Sequence, residues 1–155
     1  WDSEEGVLPR KKIRLRSYDS SCECSLEIKI SSIEGRFKTV ERSNIIFHDL
    51  LNGKSRLIDF GICGVNVQRM QPVLLVEYRR KYFSFNGIRV TFDDNIKYRN
   101  LLDQGVCLEG DLEAVVEFKG PHWVTGDELT GSLGLSDSRF SKYCRGMRST
   151  YPCLI

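Results

Sequence analysis

The chain has 155 residues, 41% hydrophobic and 28% charged, which suits one globular domain with a sizeable core and excludes a disordered or fibrous chain. Apolar runs no longer than Val73-Leu74-Leu75-Val76 exclude a helical membrane span. With 23 basic and 21 acidic residues the net charge is +2, too even to argue for nucleic acid from composition.

From Arg10 to Tyr18, Ile13 and Leu15 alternate with Lys12, Arg14 and Arg16, a period of two that predicts a strand. Residues 24–31 alternate again, with Leu26, Ile28 and Ile30 on one face and Glu27 and Lys29 on the other. Asp19-Ser20-Ser21 lies between them as a turn signal, so the two strands are expected to form a hairpin. A third strand is expected from Gly35 to about Glu41. Ser43 is placed to cap a helix over Asn44–Leu51 that Gly53 ends, and a second short helix is expected within residues 55–71. Val73–Phe83 and Gly87–Phe92 predict a second hairpin turning at Phe85-Asn86-Gly87, because Asn-Gly is a strong hairpin signal. Residues 112–119 predict another strand. Asp127–Met147 is helical in pattern, with Ser138–Cys144 its firmest piece. Strands outnumber helices and the hairpins are close, which gives an α+β fold dominated by an antiparallel sheet.

Several chemistries lose support. His48 and His122 stand far apart without a motif, which weakens histidine general-base and serine–histidine mechanisms. Gly53-Lys54-Ser55 resembles the tail of a phosphate-binding loop, but His48 occupies the place of the required first glycine. The six cysteines contain one close pair, Cys22-x-Cys24, and no second, so reduced thiols in a cytoplasmic protein are expected rather than a disulfide framework or zinc site. No secretory leader pattern opens the chain, and its start at Trp1 without a methionine suggests a piece of a longer product.

The polar strand faces carry the chemistry. Lys12, Arg14 and Arg16 share a face, as do Glu27 and Lys29, then Arg89, Thr91 and Asp93, then Glu117 and Lys119. Arg80 lies in the strand paired with that of Arg89, and Arg139 and Lys142, three apart, would project together from a helix. One such strand reads first as a solvent-facing strand with cross-paired charges. Recurrence over five strands favours a closed sheet with these faces turned inward, a channel suited to a polyanion. A glutamate among the bases would repel phosphate unless it holds a divalent metal, and Glu117 is the candidate. Apart from Tyr18, most aromatics are expected in the core, which argues against nucleic-acid binding.

Lys12-Ile-Arg-Leu-Arg-Ser-Tyr18, Leu26-Glu-Ile-Lys29, Tyr78-Arg-Arg-Lys-Tyr-Phe83, Ile88-Arg-Val-Thr-Phe-Asp93, Val116-Glu-Phe-Lys119 and Arg139-Phe-Ser-Lys-Tyr143 follow one another over almost the whole chain. Together they resemble the catalytic tunnel domain of the vacuolar transporter chaperone (VTC) polyphosphate polymerases, within the CYTH or triphosphate tunnel superfamily. The resemblance implies a single tunnel domain over residues 1–155, an antiparallel β-barrel with accessory helices and a C-terminal helix. It implies catalytic roles for Arg80, Arg89 and Lys29, and phosphate binding by Arg14, Arg16, Lys38, Arg139 and Lys142. Glu117 would hold a divalent metal, Mn²⁺ or Mg²⁺.

Arg139 stands where the family usually has lysine. The family's first strands, one with a Glu and Lys pattern and one like Tyr-Phe-Asp-Thr, do not precede Trp1. The barrel is therefore expected to have an open side unless another segment or chain completes it. The function implied is metal-dependent phosphoryl transfer that builds polyphosphate from a nucleoside triphosphate. The alternatives are a triphosphate or polyphosphate hydrolase of the same fold, or a non-catalytic polyphosphate-binding module.

Overall fold

The computed structural model describes residues 7–19, 23–52, 58–62, 65–102, 109–121, 131, 134, 136 and 138–151. The chain is α+β, mostly antiparallel sheet with few helices, and it divides into two compact units, Trp1–Val73 and Leu74–Ile155.

The first unit holds β1 (Arg10–Arg16), β2 (Glu23–Ser31) and β3 (Arg36–Ile46), in sheet order β1-β2-β3. Both pairings are antiparallel, and Ile13 faces Ile28 while Leu15 faces Leu26. Leu26 and Ile28 are buried with Leu50, and Ile13, Leu15, Ile45 and Met70 pack against them. Burying such side chains stabilises the sheet by about 1.5–3 kcal/mol each, and it fixes register, since a slip of one residue would turn the apolar face outward.

Two expectations fail here. The helix α1 is only Phe47–Leu51, because Ser43 and its neighbours continue β3. The Ser43 hydroxyl accepts from the Ile45 N–H at 3.2 Å within the strand, while Ile46 precedes the helix without a side-chain cap. Residues 55–71 hold no described helix but an antiparallel pair, β4 (Ile58–Ile62) and β5 (Val65–Met70). Their β-branched content, Ile58, Ile62, Val65 and Val67, suits strands. Gly53, Lys54, Ser55 and His122 lie outside the described residues, as do Cys22, Cys63, Cys107 and Cys153. Cys24 and Cys144 are free thiols.

In the second unit β6 (Leu74–Phe85) and β7 (Ile88–Asn100) form the long hairpin, with β8 (Glu109–Gly110) and β9 (Val115–Lys119) both paired to β7. Asn86 and Gly87 take φ of 47° and 75°, the two consecutive positive angles that a two-residue type I′ turn demands. A bulge sits farther along. Glu77 faces Lys97 but Arg79 faces Asp94, so β7 carries one extra residue, and Asn95 has φ of 51°. An extra residue reverses side-chain parity. Odd-numbered Thr91 and Asp93 before the bulge, and even-numbered Ile96, Tyr98 and Asn100 after it, are all buried. One strand thus presents a polar half and an apolar half to the same side.

The C-terminal helix α2 (Lys142–Thr150) packs on β6 and β7. It begins later than its sequence pattern predicts, because Ser141 is its N-cap, extended at φ −127° and accepting from the Cys144 N–H at 3.4 Å. Arg139 and Phe140 therefore precede the helix, and the expected projection of Arg139 and Lys142 from one helix face does not occur. Tyr143 on α2 is half exposed and does not anchor the helix. Close approach at Gly146 does so instead, since a Cβ there would lie 2.6 Å from Tyr98 Cδ1 and 2.8 Å from Leu74 Cδ2. Among the described residues no helix is long and apolar enough to cross a membrane.

Candidate functional site

In the first unit, cross-strand register stacks bases in rows. Arg10, Ser31 and Arg36 form one row, and Lys12, Lys29 and Lys38 the next. Arg14, Glu27 and Val40 follow, and then Arg16, Ser25 and Arg42. The row of three lysines and the arginines flanking it make this a strongly basic sheet face. Glu27 is 5% exposed at the centre of this face. Arg14 donates to its Oε2 from Nε at 2.8 Å and also from Nη2, Arg16 Nη1 lies 3.3 Å from Oε1, and Lys38 Nζ lies at 3.8 Å. Burial pushes the Glu27 carboxyl up, but the Arg14 hydrogen bonds and the charges of Arg14, Arg16 and Lys38 outweigh it and hold the carboxyl below its ordinary value. The expected phosphate-binding residues Arg14, Arg16 and Lys38, and Lys29 with them, thus share one face.

In the second unit the rows on the polar side of β7 are Arg80–Asp93–Val115, Tyr82–Thr91–Glu117 and Ser84–Arg89–Lys119. Arg80, Arg89 and Glu117 share this face as expected, and α2 brings Lys142 to it. Asp93, 1% exposed, accepts a bidentate pair from Arg80, Nε to Oδ1 at 2.5 Å and Nη2 to Oδ2 at 2.6 Å. Lys142 Nζ reaches the same Oδ2 at 2.7 Å. For the Asp93 carboxyl, burial works upward, yet hydrogen bonds from Arg80 and Lys142 hold it below the carboxylate range. The Tyr78 ring lies 5.2 Å from the Arg80 guanidinium carbon and 5.0 Å from Lys142 Nζ, and Phe140 lies 5.5 Å from the latter. Each such contact contributes about 0.5–2 kcal/mol and restrains the cation without consuming its donors. Thr91 is buried, and its hydroxyl has no hydrogen-bond partner among the described residues.

Arg80 and Arg89 stand on adjacent strands but two rows apart, about 14 Å along the strand at 3.4 Å per residue. Glu117 is half exposed and pairs with Lys119 at 3.0 Å. Arg139 is exposed, ahead of α2. Among the described residues no group of three or more His, Cys, Asp or Glu is arranged to hold a metal. A single carboxylate still fits Mg²⁺ or Mn²⁺, since such ions commonly take one or two carboxylates and fill the shell with substrate phosphates and water.

Two carboxylates central to these faces, Glu27 and Asp93, had no assigned role in the sequence reading. Asp93 was within reach of counting: a two-residue turn pairs Phe85 with Ile88, and continuing that register places Arg80 opposite Asp93. The aromatics also depart from expectation. Tyr82 and Phe83 are exposed, and Tyr78, Tyr82 and Phe140 lie against site cations rather than in an apolar core, held there by the cations' attraction to their ring faces.

Antiparallel sheet faces that gather arginine and lysine around buried carboxylates define an α+β protein with basic sheet faces. The sequence profile of the VTC domain matches residues 1–151, and the chain belongs to that family. Membership is consistent with a polyphosphate-related function. No curated protein and no solved structure matches the chain.

Proposed function

We propose that this chain is a triphosphate-tunnel domain of the CYTH type that builds polyphosphate from a nucleoside triphosphate, with a divalent metal. VTC-domain membership over residues 1–151 carries the reading, and the basic faces support it. Closure of the tunnel belongs to the proposal, as does a nucleotide as substrate.

In this reading the terminal oxygen of the growing chain attacks the γ-phosphorus, the bond to the β–γ bridging oxygen breaks, and the nucleoside diphosphate leaves. Positioning and charge neutralisation do most of the work in such transfers. Arg80, Arg89 and Lys29 bind the reacting phosphates, while Arg14, Arg16, Lys38, Arg139 and Lys142 hold the rest of the polyanion. Glu117 would hold the metal, which supplies neutralisation of phosphate oxygens.

A second reading, a non-catalytic polyphosphate-binding module, is favoured by one observation: the Glu117 carboxylate is already paired with Lys119. Incubation of the full-length protein with ATP and Mn²⁺, followed by gel separation of polyphosphate, decides between them. Chain growth is the expected outcome. Phosphate release alone would establish a hydrolase, and binding without turnover would establish the module.

A further inference from the structure

We propose that Asp93 is a positioning residue for anion binding, an internal counter-anion that fixes the Arg80 guanidinium and the Lys142 ammonium so that their remaining N–H groups meet an incoming phosphate together. The inference rests on the anion-binding reading above and adds to it a residue that itself never touches the ligand.

Burial makes the first part of the case. At 1% exposure the Asp93 carboxylate is closed to solvent, so neither a phosphate nor a hydrated metal ion reaches it directly. Stoichiometry makes the second. One carboxylate faces two cations, leaving the trio with a net positive charge. It engages two of the five guanidinium N–H donors and one of the three ammonium donors, so neither cation is exhausted. Arg80 and Lys142 keep about a fifth of their side-chain surface exposed, 21% and 19%, enough to meet a ligand.

Geometry makes the third part. Arg80 comes from β6, Asp93 from β7 and Lys142 from the first turn of α2, so the carboxylate ties a helix to a hairpin. The Tyr78 ring lies near both cations and restrains them a second time. The first unit uses the same device independently, with buried Glu27 gathering Arg14, Arg16 and Lys38. A bidentate carboxylate orients a guanidinium as well as neutralising it, and orientation is what phosphate recognition requires.

Charge and position predict opposite results for Asp93→Asn, which makes the test sharp. Removing a negative charge beside two cations should by itself tighten anion binding. Losing their placement should weaken it. Binding of inorganic tripolyphosphate to the full-length protein would be measured by calorimetry at low salt, at a temperature where circular dichroism shows each variant folded. Asp93→Asn is expected to bind on the order of tenfold more weakly than wild type. Asp93→Glu, which keeps the charge but displaces it by a methylene, is expected to bind more weakly as well. Equal or tighter binding by either variant overturns the role of Asp93 and leaves the functional reading standing. Loss of folding in both variants would overturn it too, by showing a purely structural carboxylate. Wild-type protein that fails to bind tripolyphosphate would remove the functional reading itself.

Discussion

Glu117 stands between two demands. Its row neighbours on the sheet are Thr91 and Tyr82, and the next row sets Arg89 beside Lys119. Like charges so placed repel, and the Glu117–Lys119 contact at 3.0 Å relieves part of that repulsion. The pair is half exposed, and exposed pairs contribute only about 0–1 kcal/mol, so a divalent ion could displace the ammonium at little cost. Glu117→Gln should therefore leave stability within about 0.5 kcal/mol of wild type while abolishing metal-dependent turnover. Urea unfolding and the ATP/Mn²⁺ assay report the two halves separately. Unchanged turnover with unchanged Mn²⁺ affinity would mean that Glu117 serves Lys119 alone.

At the scale of elements, α2 is held by a close approach rather than by an apolar stripe. Gly146 lets the helix backbone settle against the Tyr98 ring and Leu74. Asn100 donates from Nδ2 to the Thr150 carbonyl at 3.3 Å, and Arg145 reaches Asp111 and Glu113 at 2.9 and 2.8 Å. Alanine is the better helix former by about 1 kcal/mol, yet its Cβ would strike a buried ring that has nowhere to turn. Gly146→Ala should thus destabilise the protein by about 1–3 kcal/mol, lowering its urea midpoint, and should weaken tripolyphosphate binding by drawing Lys142 away from Asp93. A midpoint at or above wild type would show that helix propensity outweighs the contact. The contrast with the strands explains what the sequence could disclose. Alternation of Ile13 and Leu15 with Lys12, Arg14 and Arg16 sets a strand and its faces locally, and Asn86-Gly87 sets a turn and a register. The start of α2 depends on the Ser141 hydroxyl, the extent of β3 past Ser43 on pairing with β2, and the burial of Asp93 on a bulge and on a helix arriving from some fifty residues away. Those are products of tertiary contact, which periodicity does not encode.

Across the whole chain, each unit is built round an acid under its basic face, Glu27 in the first and Asp93 in the second. Both carboxyls are held below their ordinary values: burial opposes the shift, and hydrogen bonds and charge from Arg14, Arg16 and Lys38, or from Arg80 and Lys142, prevail. Asp111 behaves likewise, with burial again opposing and the Glu113 N–H, Tyr98 and Arg145 lowering it. A carboxyl that binds its proton less readily when folded makes the unfolded state take up protons first as the pH falls. The stability these groups contribute is therefore complete above the ordinary carboxyl values of 4.5 for Glu27 and 3.8 for Asp93, and is lost as the pH drops through their lower folded values. Protonation leaves two or three partly exposed cations in each cluster without their counter-ion, which is the same loss seen from the side of the bases. Urea midpoints should accordingly stay level from about pH 7 to about pH 5 and fall steeply below about pH 4. Asp93→Asn and Glu27→Gln, already neutral at these positions, should start from lower midpoints and show a shallower acid slope in the unit that each serves, followed by hydrogen exchange of β7 and β2 respectively. A slope in both variants as steep as that of wild type would place the acid sensitivity elsewhere, in exposed carboxylates or in Asp111.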